Sequence, residues 1–176
     1  MSSEESALVI LVPESEELVG RWRTRFDRAA AYGVPAHITV LYPFVAPELI
    51  DRDVRDRLGT LFGTQEPFDF SLTETSRFHD QILYLVPSAE QRFTQLTQAV
   101  VASFPDHPPY EGRFEKIVAH LTVADLAEAE QLEIVEAALS PKLPILAHAR
   151  TISLLVGRDE PATWHVAGEF ALGPLF

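Results

Sequence analysis

Histidine and threonine recur two residues apart at two places, in AHITV at 36–40 and in AHLTV at 119–123. In an extended strand, residues two apart share a face, so His37 projects with Thr39 and His120 with Thr122. Ile38 and Val40, like Leu121 and Val123, turn the other way into a core. An imidazole beside a hydroxyl suits phosphate ester chemistry. Histidine changes charge near neutral pH and serves as base or acid. A threonine hydroxyl donates a hydrogen bond to a non-bridging phosphate oxygen. Two such pairs flanking one phosphorus atom divide an in-line displacement: one imidazole activates the attacking oxygen and the other protonates the departing one.

Either motif alone reads as a strand pair that satisfies its own hydrogen bonds. Recurrence inside a duplicated unit weighs against that reading. LVILVP at 8–13 returns as ILYLVP at 82–87, each followed by an acidic, helix-like stretch. The Val-Pro ends are 74 positions apart and the histidines 83, and a nine-residue excess around PDHPPYEGR (105–113) accounts for the difference. The chain reads as strand–helix–strand–helix–strand twice, with a first repeat at about 7–78 and a second at about 81–171. The expectation is a single α+β domain over 1–176, in which a duplicated β-α-β-α-β unit forms two pseudo-symmetric lobes with antiparallel sheets around a central cleft. No GxGxxG or P-loop is present, so side chains must handle phosphate. A zinc site is the competing use of histidine, but threonine is a poor ligand and neither motif carries a carboxylate at its second position. No metal and no cofactor are expected.

Several elements must position these residues. Ser15 with Glu16 and Glu17 predicts a serine-capped helix whose inner face is Leu18, Val19, Trp22 and Phe26, broken by Gly33 and Pro35. Residues 48–62 predict a second helix with Leu49, Val54, Leu58, Leu61 and Phe62 inward, and 88–103 and 126–139 predict two more. Strands are expected over 68–78, 82–87 and 114–123, then near 148–156 and 163–171. If the strand from 114 is unbroken, Phe114 and Lys116 share the face of His120. Phe114 would then stack on a base and Lys116 attract phosphate, against the plainer reading of an edge aromatic and a solvated lysine. Alternation turns Tyr42 and Phe44 away from His37 and assigns them to packing. His79 and His107 fall in exposed turns; His148 and His165 lie near the late strands, where His165 beside Trp164 reads as packing.

Charge narrows the partner. Twenty-six acidic residues against 14 basic ones give a formal net charge of −12. Proteins that hold long nucleic acids neutralise phosphates with basic surfaces. A long duplex is therefore excluded, whereas a small nucleotide or an RNA 3′ end still fits a locally neutral cleft. The chain has no cysteine, which removes thiol nucleophiles, thiolate metal sites and disulfides. MSSEESA is no signal peptide and no apolar run is long enough for a bilayer, so a cytoplasmic monomer with no membrane partner is expected.

The pair HITV and HLTV, one lobe apart in a small duplicated α+β chain, resembles the two-histidine (2H) phosphoesterase superfamily. HITVLYPF is similar to the first motif of its 2′-5′ RNA ligase-like branch, which includes RNA 2′,3′-cyclic phosphodiesterases. The resemblance implies a bilobal fold, metal-independent catalysis, and His37, Thr39, His120 and Thr122 as the active-site residues. It leads to an expected phosphodiesterase acting on a 2′,3′-cyclic phosphate of a nucleotide or RNA end. The alternative is a catalytically silent nucleotide- or RNA-end-binding protein of the same fold. The ligase label is a poor guide, because nothing in the sequence could activate an end with ATP.

Overall fold

Strand pairing places each histidine motif at the edge of a sheet. The computed structural model describes residues 3–113 and 116–174. Among these, eight strands form two antiparallel four-stranded sheets. The first unit of the chain supplies β1 (Glu5–Leu11), α1 (Glu16–Phe26), the short α2 (Arg28–Ala31), β2 (His37–Leu41), α3 (Arg52–Gly63) and β3 (Phe68–Phe78). The second supplies β4 (Ile82–Pro87), α4 (Glu90–Ser103), β5 (Leu121–Ala124), α5 (Ala129–Leu139), β6 (Ile145–Ala149), β7 (Thr151–Gly157) and β8 (His165–Ala171). The sheet orders are β2-β1-β7-β8 and β5-β4-β3-β6. The fold is α+β, as expected.

The sheets do not follow the sequence units. β3 closes the first unit yet pairs with β4, and β7, near the end of the second, pairs with β1 and carries β8 with it. The first unit thus gives its third strand to the other's sheet, and the second gives β7 and β8 in return. The apolar run of β1 is buried along its length because it lies between β2 and β7. Leu8, Ile10 and Ile38 from one sheet join Leu83, Leu85 and Leu121 from the other in one buried cluster. Helices cross the divide as well: α1 packs on β5 and α4 on β2.

Several local expectations need correction. The strand expected over 148–156 is two strands in different sheets, broken only at Arg150, where no glycine or proline marks the crossing. β5 begins at Leu121, and residues 116–120 are not strand. Ser15 does not cap α1; its buried hydroxyl donates to the Val12 carbonyl at 2.8 Å within a 3-10 turn. Asp27 then divides the first helix in two, capping Ala29 N–H with its own carboxylate. Leu49 precedes α3, which starts after Asp51, and is 61% exposed.

Candidate active site

β2 and β5, the edge strands that carry the motifs, pack against one another at the seam between the sheets. His37 and Thr39 are half-buried while Ile38 and Val40 are buried. Thr122 is half-buried between buried Leu121 and Val123, and half-buried His120 immediately precedes β5. The two imidazoles are near enough for His120 to act electrostatically on His37. All four expected side chains therefore lie along one seam, partly open to solvent.

Both motifs carry the same irregularity. Val9 pairs with Thr39 but Leu8 with Leu41, which leaves Val40 as an extra residue. Tyr84 pairs with Thr122 but Leu83 with Ala124, which leaves Val123 extra. Each bulge falls on the valine after the threonine, and a bulge bends a strand and re-aims the side chains that follow it. The freed carbonyl of Val40 accepts from Thr97 Oγ1 of α4 at 2.7 Å. Tyr42 does pack, on the cluster of Ala7, Val9, Val34 and Leu155, but the bulge undoes the expectation that it turns away from His37. The bulge shifts the alternation by one residue, and Tyr42 comes to line the same hollow as His37 and Thr39.

The two histidines have matched environments. His37 Nδ1 lies 2.8 Å from the Pro35 carbonyl and His120 Nδ1 lies 2.7 Å from the Val118 carbonyl. A carbonyl only accepts, so each Nδ1 carries the proton and each Nε2 keeps its lone pair. His165 makes the same local contact at 3.2 Å, but on β8, at the far edge of its sheet from β2. What sets the pair apart is placement. The His120 ring also stands edge-on to Phe78 and Tyr84, at 5.0 and 5.5 Å between centroids. Burial pushes the His37 pKa down to about 4, with the nearby charges of Arg23 and His120 adding to the effect. Burial lowers His120 as well, partly offset by its bond to Val118. Both rings are therefore neutral at pH 7.

α1 fixes both strands. Glu16 accepts the Ala36 N–H at 2.7 Å, and Arg23 donates to the Val34 carbonyl at 3.0 Å while pairing with Asp27 at 2.8 Å. Arg23 and Asp27 are both almost wholly buried. The Phe26 carbonyl accepts from Asp125 and Leu126, and the Asp125 carboxylate accepts from Arg28 N–H. One helix thus grips the entry to β2 and the exit from β5.

Two hollows open on the seam and share Thr39. One, of about 500 Å³, runs along α4 and includes Lys116 in its lining. β5 does not reach back to Lys116, so strand alternation is not what places this exposed residue; it nevertheless lies in a hollow with Thr39. Phe114 lies outside the described residues. The other hollow, of about 300 Å³, holds His37 with Tyr32, Tyr42 and Trp164. Tyr110, from the proline-rich loop, hydrogen-bonds the Thr39 side chain and donates its N–H to the Tyr42 carbonyl at 2.6 Å. Sequence reasoning missed Tyr42, Tyr110 and Trp164 as neighbours of the motifs. The nine-residue excess was a signal for Tyr110; the bulge and the chain-distant Trp164 left none. Among the described residues, no group of three or more His, Cys, Asp or Glu side chains is placed to hold a metal ion. None of their helices is long and apolar enough to cross a membrane.

Comparison with known proteins bears on the family and the fold. The family model described as the 2′-5′ RNA ligase superfamily matches residues 11–161. No curated protein matches the chain. Among solved structures, TT0787 of Thermus thermophilus is similar over 98% of this chain and 100% of its own, with TM-score 0.66 at 17% identity. E. coli LigT complexed with 3′-AMP is similar over 96% and 98%, with TM-score 0.62 at 14% identity. A phosphoesterase is similar over 97% and 99%, with TM-score 0.61 at 14% identity. At such identities the likeness is one of fold.

Proposed function

The chain belongs to the 2′-5′ RNA ligase superfamily, the 2H phosphoesterases, and from that membership we propose that it is a metal-independent phosphodiesterase that opens a 2′,3′-cyclic phosphate on a nucleotide or RNA end. The observation that carries the reading is the pair of Nε2 lone pairs, each fixed by the same Nδ1–carbonyl bond, on two bulged edge strands that meet at one seam. LigT, which shares the fold, is seen with 3′-AMP.

The reaction follows from that arrangement. The phosphodiester enters as an anion and raises the proton affinity of both neutral imidazoles. Burial pushes both rings down and the Arg23 charge lowers His37 further, so in this reading His120 takes the proton and serves as acid. His37 Nε2 accepts a proton from water as the water oxygen bonds to phosphorus. The bond from phosphorus to one ribose oxygen breaks in line, and that oxygen receives the proton from His120 Nε2. Thr39 and Thr122 donate to the non-bridging oxygens, whose charge grows in the transition state. No metal ion takes part.

The test is a screen of the four nucleoside 2′,3′-cyclic phosphates and short RNAs with cyclic ends, run with a chelator and beside the His37→Ala/His120→Ala protein. Monoester product from the wild type alone is the expected result. Tight binding without product would replace the enzyme by a silent binder of the same ligands, and loss of activity on chelation would overturn the metal-free mechanism.

A further inference from the structure

The hollow of about 300 Å³ beside His37 has features that phosphate chemistry alone does not require. Its wall is aromatic: Tyr42 and Trp164 stand edge-on at 6.3 Å, with Tyr32 beside them. That wall is held in place from behind. The Trp164 N–H donates to the Tyr32 carbonyl at 2.9 Å, and the Tyr42 phenol donates to Glu5. Gly157 lies so close under the indole that a Cβ there would collide with Trp164 Cγ, so only glycine leaves the ring its place. The floor is buried and apolar, made by Ala7, Val9, Val34 and Leu155.

The hollow's charge is unsuited to a second phosphate. Asp125 and Asp159 line it with one cation, Arg28, whose Nε is 4.0 Å from the Asp125 carboxylate. The larger hollow along α4 differs: Lys116 and Glu90 balance in its lining, which has none of these three aromatic rings. A flat, uncharged, aromatic group attached to the reacting phosphate fits the smaller hollow, and a continuing phosphate chain fits the larger.

Resting on the phosphodiesterase reading above, we propose that the Trp164–Tyr42 hollow is the seat of the substrate's nucleobase, stacked there while its ribose cyclic phosphate lies at His37 and Thr39. The substrate is then a nucleoside cyclic phosphate read from the base side, with any further RNA leaving along α4.

Steady-state kinetics separate this proposal from the reading beneath it. Wild type, Trp164→Ala and Trp164→Phe are compared on adenosine 2′,3′-cyclic phosphate and on methyl riboside 2′,3′-cyclic phosphate, which has no base. Trp164→Ala is expected to raise KM for the nucleotide roughly 10- to 100-fold, to leave kcat nearly unchanged, and to leave the baseless compound unaffected; Trp164→Phe recovers most of the loss. Equal losses on both compounds, or none on the nucleotide, would overturn the base seat. If wild type cleaves neither compound, the phosphodiesterase reading fails, and calorimetric binding of adenosine 2′-monophosphate against ribose 2-phosphate decides the seat alone. A preference for the nucleotide that Trp164→Ala abolishes and Trp164→Phe keeps supports it; no preference overturns it.

Discussion

At His37, the proposed chemistry rests on a single local bond and on burial. The Pro35 carbonyl fixes the proton on Nδ1, and burial brings the pKa to about 4. The base form is then present above about pH 4, so kcat/KM rises with pH through that region. The acid form of His120 is lost as pH rises, and its lowered pKa places the falling limb below the ordinary 6.5. A bell lying on the acid side of 6.5 in kcat/KM is the expected profile, with kcat displaced to higher pH by the bound anion. Stability carries the same signature. Between pH 6.5 and 4 the unfolded His37 binds a proton that the folded one does not, so stability falls as pH falls through that window and is unaffected by His37 above it. Thermal melts of His37→Gln should therefore lose less than wild type between those pH values. On the proposed reading Thr39 donates to the transition state, so Thr39→Val should lower kcat by about 10²- to 10³-fold.

At the level of elements, the two bulges and α1 are what turn the motifs into a site. Thr97→Val leaves the buried Val40 carbonyl without its partner and should cost about 1–3 kcal/mol in urea unfolding. It should also depress kcat, because the bulge aims Thr39. Arg23→Met strands the buried Asp27 carboxylate and should cost about 3–5 kcal/mol, with part of the loss recovered in Arg23→Met/Asp27→Leu. Much here is legible in the chain itself. The period of two around His37 and Thr122 assigns the inward and outward faces correctly, and the helices over 52–63, 90–103 and 129–139 follow the apolar spacing. What is not legible has a common cause. A bulge, a one-residue break at Arg150 and the late start of β5 depend on which strand lies alongside, and no residue type announces the partner. Hence simple alternation assigns Tyr42 to packing although it lines the hollow with His37.

At the scale of the whole molecule, the exchange of β3 against β7 and β8 ties the halves into one folding unit. A fragment ending at residue 79 would strip β7 and β8 from one sheet and leave β3 without any partner. Circular dichroism of such a fragment should show an unfolded chain, and the full protein should unfold in a single transition by fluorescence and circular dichroism alike. Independent folding of either half would contradict this reading of the topology. The net charge of −12 acts at the same scale. It disfavours a long polyanion and leaves a single phosphate to be held locally, as paired histidines and threonines can do. The order of motifs and the strand–helix rhythm make the fold class readable from the chain; Trp164 is not, because it lies 127 positions after His37 and only the assembled sheet brings them to one hollow.

The most direct measurement is a double-mutant cycle on hydrolysis of a nucleoside 2′,3′-cyclic phosphate, using wild type, His37→Ala, His120→Ala and the doubly substituted protein. If the imidazoles act on opposite sides of one phosphorus atom, each single change costs about 10²- to 10⁴-fold in kcat, and the double change costs little more than the worse of the two. Losses that multiply, or full turnover in either single variant, would contradict the account.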